Sequence, residues 1–452
     1  MNKGDIIEIK ITDMTDDGKG VGHFDGIAVF TDGAVIGDTV KAEVNKVKKN
    51  YSFASCLEII EQSKYRRKDP CPYIKTCGGC AYGLLSHDAQ LELKRSHVEQ
   101  KLKRLGGIAS PKVNEIVPSD KPFNYRNKAV MAVSGEAVGF NARRSHDVTD
   151  CLDCELQASP AMAAASSLRS FIKSDHIKDL VNRLTVKTAF DTGEVMAIFD
   201  IKSKGIPNFE KLVDILDEAV SDLPPNEGVE YSLESVALID KNGKCTVPAG
   251  TKTIKDVICG LTFEISPLSF YQVNPRQAEK LYYKVAEYAH IKGGENILDL
   301  YCGVGTIGLV LAAMQEDKLG KIVGVESVHE AVITANRNAV VNRIVNAVYY
   351  EGLAEEIIED VKRSEFEGKD IDLVILDPPR RGCDEKLLSA VTEADPQKII
   401  YVSCDPATMS RDIKYLTANG YKFEECTPFD MFPHTGEVEC CTLLAKPSVS
   451  EG

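Results

Sequence analysis

The sequence predicts a multidomain protein with a small N-terminal β-barrel, a central α+β domain and a C-terminal α/β domain built on an open sheet. The chain has 452 residues, which is about three times the ~150 residues of a typical single domain. Its N-terminal part alternates apolar and polar positions in short runs, as half-buried strands do. From Gln277 onward, strand and helix patterns alternate, which is typical of a parallel sheet covered by helices.

The predicted barrel occupies residues 1–62. Its alternating runs cover 5–11, 26–30, 39–47 and 51–59, and turns rich in glycine and aspartate separate them. This pattern indicates a small OB-like β-barrel. Barrels of this kind often bind nucleic acid with their loops and one sheet face. A barrel used only for packing is the alternative interpretation.

The central domain, predicted over 63–265, begins with a group of cysteines. Cys71, Cys77 and Cys80 form a C-x5-C-x2-C run, and Cys154 follows much later in the chain. Three closely spaced thiols and one distant thiol suit either a tetrahedral zinc ion or a [4Fe-4S] cluster. Buried structural thiols without a metal are the third interpretation, and spacing alone does not choose among them.

A helix is predicted over 86–105, directly after the cysteine run. Apolar residues recur there at helical spacing, Ser86 precedes them and Gly106 follows them. Many of the polar positions are Lys or Arg. We expect this helix to connect the cysteine segment with the sheets that follow and to pack on the C-terminal domain.

The C-terminal domain, predicted over 266–452, has a glycine turn after its first strand. A G-x-G-x-x-G sequence begins at Gly303, and Glu326 ends the next predicted strand. Alone, this pattern predicts a Rossmann-like domain that binds a dinucleotide and holds its ribose with the acid. Asp299 before the turn, together with an Asp-Pro-Pro sequence at a later strand end, favours S-adenosylmethionine, which has a ribose but no pyrophosphate.

Two more strands of this domain end in chemically distinctive residues. An Asp-Pro-Pro sequence starts at Asp377 after the apolar run 371–376, and Cys404 follows the apolar run 398–402. Ligands of open α/β sheets bind outside the carboxyl ends of the strands. We therefore expect Asp377, Cys404 and Tyr301, which ends the first strand, to meet at one edge of one sheet.

Together these motifs resemble those of the S-adenosylmethionine-dependent RNA uracil-5-methyltransferases, and the likeness extends over nearly the whole chain. The sequence from Ser269 to Asn274 resembles a family signature whose glutamine touches the cofactor. The resemblance implies a Rossmann-like methyltransferase domain. The candidate residues for binding S-adenosylmethionine are Gln272, Asp299, Tyr301, Gly303, Glu326 and Asp377.

The same resemblance implies a covalent mechanism that uses Cys404. Carbon 5 of uracil is a weak nucleophile, so a thiolate that adds at carbon 6 activates it. A carboxylate must then remove the carbon-5 proton. The segment from Pro433 to Glu439 resembles a family phrase whose last glutamate has this role, which implies that Glu439 is the base. Glu437 stands where the family usually has histidine.

The resemblance also implies a cluster, an RNA-binding module and a substrate. It identifies the barrel as a TRAM domain and the metal as a [4Fe-4S] cluster. Cys151 is extra, and the implied ligands are Cys71, Cys77, Cys80 and Cys154. Relatives with both features usually modify 23S ribosomal RNA, so we expect a 23S ribosomal RNA methyltransferase. The alternatives are a transfer RNA methyltransferase and an inactive RNA-binding or redox-sensing protein.

Composition limits the class of protein and its location. The net charge is −14, yet residues 1–150 carry 23 Lys and Arg against 20 Asp and Glu, which leaves this part slightly basic and able to approach phosphates. No apolar run approaches the ~20 residues of a membrane helix, and the N-terminus lacks the apolar core of a signal peptide. With 14 cysteines, a cytosolic chain favours metal or catalytic use over disulfides. We expect a cytoplasmic protein whose partner is RNA, with no membrane or DNA partner.

Overall fold

The alternating runs at the start of the chain form a closed β-barrel, as predicted. Its strands pair in the order β1-β2-β3-β5-β4. They are β1 (Ile6–Met14), β2 (Gly20–Phe24), β3 (Ile27–Asp32), β4 (Thr39–Val47) and β5 (Tyr51–Glu61). Ile7, Ile9 and Ile11 point into the barrel while the residues between them face solvent, because successive side chains of a strand leave opposite faces. The structure, a computed structural model, describes residues 1–315 and 320–447.

The first helix, α1 (His87–Arg104), follows the cysteine segment. Its buried residues Val98 and Leu102 belong to the same apolar core as Leu298 and Val323, which lie far away in the sequence. This side of the helix therefore packs on the C-terminal sheet. Another side packs on the barrel, where Ala89 and Leu93 share a smaller apolar cluster with Met14. The contact with the sheet brings side chains of α1 close to the C-terminal part of the chain.

The central part of the chain is an α+β arrangement around a seven-stranded sheet with the order β12-β11-β10-β9-β6-β7-β8. The strands and helices that cover it are β6 (Lys128–Ser134), β7 (Ala137–Asn141), β8 (Val148–Asp150), α2 (Ser159–Ser174), β9 (Val181–Thr188), β10 (Glu194–Ile201), α3 (Phe209–Ser221), β11 (Ser232–Ile239) and β12 (Cys245–Gly250). The two helices bury Leu168, Phe171 and Leu216 against one sheet face. A separate hairpin of β13 (Ile254–Ile258) and β14 (Leu261–Ile265) follows.

The C-terminal part is the predicted α/β sheet. Its elements are α4 (Pro275–Ala289), β15 (Asn296–Leu300), α5 (Thr306–Gln315), β16 (Lys321–Glu326), α6 (His329–Val341), β17 (Ala347–Glu351), α7 (Ala354–Ser364), β18 (Leu373–Leu376), α8 (Glu385–Ala394), β19 (Lys398–Ser403), α9 (Pro406–Ala418), β20 (Lys422–Phe429) and β21 (Glu439–Ala445). Apolar residues fill both faces of this sheet, such as Ile297 on one face and Leu298 on the other.

The strands of this sheet have the order β17-β16-β15-β18-β19-β21-β20. From β15 the chain proceeds outward through β16 and β17 and then returns to β18 on the other side. Strands β15 to β19 pair in parallel, whereas β21 runs antiparallel between β19 and β20. The change of direction between β15 and β18 opens a crevice at the carboxyl ends of the strands.

The remaining expectations about domain organisation have different outcomes. Within residues 1–315 and 320–447, no helix combines the length and apolar character that membrane crossing requires. The division of the chain after residues 62 and 265 stays a prediction. The predicted cluster in the central part depends on the cysteine geometry, which is described with the site below.

Candidate active site

Four strand ends bring the predicted residues together. Leu300 of β15 pairs with Leu376 of β18, and Leu376 pairs with Tyr401 of β19. Tyr301, Asp377 and Cys404 therefore follow adjacent parallel strands at one sheet edge, with Glu326 at the end of neighbouring β16. The structure thus places the thiol and the acids on the same crevice.

Cys404 lies in a short turn between β19 and α9. The main-chain N–H of Asp405 donates to Ser403 Oγ at 3.1 Å. The Asp405 carboxylate accepts hydrogen bonds from the N–H groups of Ala407, at 2.8 Å, and Thr408, at 3.2 Å, which caps the helix. Pro406 at the first helical position suits the same start. These contacts fix the half-buried Cys404 at the strand end.

The electrostatic environment of Cys404 favours the neutral thiol. Burial, followed by the neighbouring Glu439 carboxyl, raises the pKa of Cys404 to about 12. The Arg380 guanidinium opposes this shift and lowers the pKa of the thiol. Since a thiolate is the nucleophilic form, Arg380 is the residue that most favours the reactive state of Cys404 in this structure.

Glu439 begins β21, directly beside the cysteine turn. Its neighbour Cys440 pairs with Ser403, and Glu439 itself pairs with Phe429 of β20. The antiparallel register therefore places Glu439 next to the position that Cys404 occupies after β19. Burial raises the pKa of the Glu439 carboxyl well above its ordinary value, and Asp377 and Glu437 raise it further.

Arg380 and Glu437 form an ion pair at the mouth of this site. Their side chains are 64% and 35% exposed, so the pair borders solvent rather than the core. Thr408 Oγ1 donates to the main-chain oxygen of Arg380 at 3.0 Å and fixes that loop. Sequence reasoning missed this pair. The signals available were the charged residue after Asp-Pro-Pro and the glutamate at a position usually held by histidine.

The glycine turn is held by Glu326. One carboxylate oxygen of Glu326 accepts from the Gly303 N–H at 3.2 Å, and the other accepts from the Val328 N–H at 2.9 Å. Gly303 has φ +56°, and Tyr301 has φ +61°, which is uncommon for a residue with a side chain. The turn therefore directs the chain away from β15, and Glu326 fixes its N–H group at Gly303.

Asp299, which is buried, and Asp377, which is half-buried, add two carboxyls to this crevice. Burial, followed by the charge of Asp377, raises the pKa of Asp299 to about 8. Burial also raises the pKa of Asp377 to about 7. One Asp299 oxygen accepts from the Gly308 N–H at 3.2 Å, while the other is buried without a partner among the described residues. An unpaired buried acceptor is costly, so this site suits a ligand that carries positive charge and hydroxyl donors.

Gln272 lies in the loop between β14 and α4. Its main-chain oxygen accepts from Asn127 Nδ2 at 2.9 Å. Buried Lys187 donates from Nζ to the main-chain oxygens of Ser266 and Ser269, each at 2.8 Å. These contacts tie the loop to the central sheet and hold its half-buried glutamine near the start of α4.

The candidate metal-binding cysteines lie apart from the thiol at the sheet edge. Burial raises the pKa of Cys80 to about 12, and the nearby Cys154, Cys77 and Cys71 thiols raise it further. The neighbouring Cys151 thiol lowers the pKa of Cys154. No three His, Cys, Asp or Glu side chains converge closely enough to hold a metal ion in the ranges that the structure describes. The four thiols share a neighbourhood without forming a closed ligand set.

Comparison with known proteins gives two family matches. Residues 254–447 match the model described as tRNA (uracil-5-)-methyltransferase, and residues 2–57 match the TRAM domain model. The first match covers the sheet edge described above. The second covers the five-stranded barrel.

Full-length relatives extend this similarity. The chain is 39% identical to an uncharacterized RNA methyltransferase of Caldanaerobacter subterraneus, over 99% of this chain and 100% of that protein. It is 37% identical to one of Clostridium tetani, over 98% and 97%. Among solved structures, it resembles the Pyrococcus abyssi tRNA (uracil-54, C5)-methyltransferase in complex with S-adenosyl-L-homocysteine, with 28% identity, a TM-score of 0.75 and coverage of 97% and 100%.

The environment of Cys404 leads to a prediction about its reactivity. Alkylation of Cys404 by iodoacetamide should accelerate about ten-fold per pH unit between about pH 7 and about pH 9, because only the thiolate reacts and its pKa lies above this range. Arg380→Leu should slow the reaction at every pH, since loss of the cation raises the pKa. Mass spectrometry of the Cys404 peptide measures both rates.

Arg381→Leu is the matched control, because Arg381 is the next residue in the chain and is not among the groups with the largest effects on the Cys404 pKa. This variant should react at the wild-type rate. Equal slowing by the two substitutions, or a rate independent of pH, would contradict the electrostatic description of the site.

Proposed function

The chain belongs to the RNA uracil-5-methyltransferases that use S-adenosylmethionine, and on this basis we propose that Cys404 and Glu439 carry out the reaction through a covalent adduct with uridine. The observation that carries the proposal is the register of β19 and β21. It places a thiol and a carboxyl side by side at the strand ends, where ligands of such sheets bind.

The proposed reaction begins with the thiolate of Cys404. Its sulfur adds to carbon 6 of the uracil ring, and the electron pair of the carbon 5–carbon 6 double bond moves toward carbon 5 and the neighbouring carbonyl. Carbon 5 then takes the methyl group from the sulfonium of S-adenosylmethionine, which leaves as S-adenosylhomocysteine. The ring now carries sulfur on carbon 6 and both methyl and hydrogen on carbon 5.

Glu439 completes the reaction as a base. Its carboxylate removes the carbon-5 proton, the electrons of that bond restore the double bond, and the Cys404 sulfur leaves carbon 6. The raised pKa of Glu439 in the ligand-free protein means that it must first lose its own proton. The sulfonium cation and Arg380 both favour the ionised carboxyl, so binding of the methyl donor prepares the base.

The acids around the glycine turn fit the methyl donor. In this proposal, Glu326 accepts hydrogen bonds from the ribose hydroxyls and also holds the turn. Asp299 and Asp377 present negative charge to the amino and sulfonium groups. Tyr301 and Gly303 follow β15 at the same sheet edge, and we propose that they complete the cofactor site together with Gln272.

The proposed substrate is a uridine in 23S ribosomal RNA. The TRAM barrel and the cysteine group support this choice, because relatives with both features usually act on that RNA. Transfer RNA is the second candidate, favoured by the Pyrococcus abyssi enzyme that the chain resembles over its whole length. Maps of 5-methyluridine in both RNAs from cells with and without the gene decide between them. In either RNA the base must leave its stack to reach Cys404, which favours a loop.

We also propose that the cysteine group holds a [4Fe-4S] cluster. The donor set fits, since four thiols lie within electrostatic reach of one another and Arg126 lowers the pKa of Cys80 and Cys154. When bound, the cluster would cross-link the segment that follows β5 to the one that follows β8. The proposed ligands are Cys71, Cys77, Cys80 and Cys154.

The cluster proposal predicts different effects for two adjacent cysteines. Protein purified without air should be brown and contain about four irons per chain. Cys154→Ala should lose the iron because it removes a ligand, whereas Cys151→Ala should retain it. Iron analysis and the visible spectrum measure both. A colourless protein with one zinc ion would refute the assignment.

The cofactor site predicts a specific loss of affinity. Glu326→Ala removes a charge-assisted hydrogen bond to the ribose and should weaken S-adenosylmethionine binding by roughly 1.5 to 3 kcal/mol. Calorimetry measures this change. Glu351→Ala, at the end of the next strand outward, is the control and should bind normally. Unchanged affinity in Glu326→Ala would exclude this residue from the pocket.

The covalent mechanism predicts opposite results for its two residues. Cys404→Ala should abolish methylation and form no adduct, while S-adenosylmethionine still binds. Glu439→Gln should form the adduct and methylate it but fail to release it, so a denaturing gel should show a slow band with RNA and labelled methyl. Cys245→Ala, in the central sheet, should behave as wild type. Methylation by Cys404→Ala would disprove the nucleophile, and normal turnover by Glu439→Gln would disprove the base.

A further inference from the structure

The loop between β20 and β21, residues 430–438, leads directly into Glu439. Phe429 before the loop and Glu439 after it pair with each other across the two strands. The loop also carries Glu437, the partner of Arg380. Because Glu439 is the first residue of β21, the path of this loop sets the direction from which its side chain approaches Cys404.

Helix α1 holds the start of this loop with a buried ion pair. The Lys94 ammonium donates to Asp430 Oδ1 at 2.6 Å and to the main-chain oxygen of Phe432 at 2.9 Å. Both charged side chains are 0% exposed. On the second Asp430 oxygen, His87 Nε2 lies 2.7 Å away. Such a pair stabilises little compared with apolar residues of similar volume, so its best-supported use is to specify one geometry.

A second residue of α1 holds the middle of the loop. The main-chain N–H of His434 donates to Gln90 Oε1 at 2.8 Å. Gln90 Nε2 donates to the main-chain oxygen of Leu85 at 3.0 Å and lies 3.2 Å from His434 Nδ1. His434 has φ +67°, a conformation that non-glycine residues adopt only when their surroundings hold them there.

The other side of the loop is enclosed by earlier parts of the chain. The Tyr82 N–H, two residues after Cys80, donates to the main-chain oxygen of His434 at 2.9 Å. A Cβ atom added to Gly436 would lie 2.0 Å from the main-chain oxygen of Asp16 in the barrel, so only glycine fits there. The loop is therefore confined between α1, the cysteine segment and the barrel.

We propose that Lys94 and Gln90 are positioning residues that hold loop 430–438 so that Glu439 reaches the carbon-5 proton of the bound uridine. They act through the loop and do not touch RNA or cofactor. Cys404 is carried by β19 and the turn into α9, so formation of the adduct does not depend on these contacts. The inference rests on the proposed role of Glu439 as the base.

This assignment predicts that the Lys94–Asp430 pair affects the reaction, whereas a buried ion pair elsewhere in the protein affects only stability. The barrel contains a comparable pair, in which Arg66 contacts Asp38 at 2.7 Å with side chains 10% and 0% exposed. The side chains of Asp38 and Arg66 form hydrogen bonds with each other, with Ser63 and with Gly33, and none of these goes to loop 430–438. Loss of that pair should destabilise the protein without changing any step of the reaction.

The experiment compares Lys94→Met with Arg66→Met in a single turnover with methyl-labelled S-adenosylmethionine and a 23S ribosomal RNA transcript. Lys94→Met should release methylated RNA roughly 10- to 100-fold more slowly, as expected for a displaced catalytic group. The covalent protein–RNA band should accumulate on a denaturing gel. The affinity for S-adenosylmethionine should stay at its wild-type value. Arg66→Met should show a lower melting temperature and no accumulated band.

A double variant separates positioning from stability. Lys94→Met/Asp430→Asn removes both buried charges, so its melting temperature should recover while release of RNA stays slow. Recovery of both quantities would overturn the inference, and so would wild-type release by Lys94→Met. Glu439→Gln runs beside these variants as the reference. If Glu439→Gln accumulates the band and Lys94→Met does not, the inference alone fails; if Glu439→Gln does not, the proposed base fails and the inference with it.

Discussion

The antiparallel insertion of β21 between β19 and β20 is the constraint on which the site depends. In a purely parallel sheet, only the carboxyl ends of strands lie at this edge. Here the first residue of β21 lies beside the carboxyl end of β19. Ser403 pairs with Cys440, and Cys404 and Glu439 are the residues just beyond that pair. Register in a sheet is specified by burial of its two faces. The apolar residues of β19 and β21 therefore also determine which thiol meets which carboxyl.

Several carboxyls are buried at this sheet edge, and burial changes their pKa values. Asp299, Asp377 and Glu439 all have raised pKa values because the sheet and its helices exclude water from them. In the ligand-free protein, these three carboxyls therefore hold their protons to higher pH than ordinary carboxyls do. A ligand with a positive sulfur centre shifts these groups toward their ionised forms. In the proposed mechanism, binding of the methyl donor and ionisation of Glu439 are parts of one electrostatic change.

The sequence predicts the local parts of this arrangement better than the distant ones. Strand ends at Asp377 and Cys404, the glycine turn and the barrel depend on patterns a few residues long, and the structure contains all of these elements. The ion pair of Lys94 with Asp430 joins residues 336 positions apart. Helical spacing places Lys94 in the same buried row as Val98 and Leu102, but nothing near it in the sequence identifies Asp430 as its partner. That contact follows from the packing of α1 on the C-terminal sheet, which patterns in a single sequence do not encode. Cysteine spacing likewise does not determine whether four thiols converge on one metal site.

The central claim is that Cys404 bonds to the uracil ring during methyl transfer. The most direct measurement uses a 23S ribosomal RNA transcript that contains 5-fluorouridine, because a base cannot remove fluorine from carbon 5 as it removes a proton, so the adduct cannot break down. After reaction with S-adenosylmethionine, mass spectrometry should find methylated 5-fluorouridine on the peptide that contains Cys404. A modified nucleoside on another cysteine, or methyl transfer to unsubstituted RNA with no trapped adduct from the fluorinated RNA, would contradict the account.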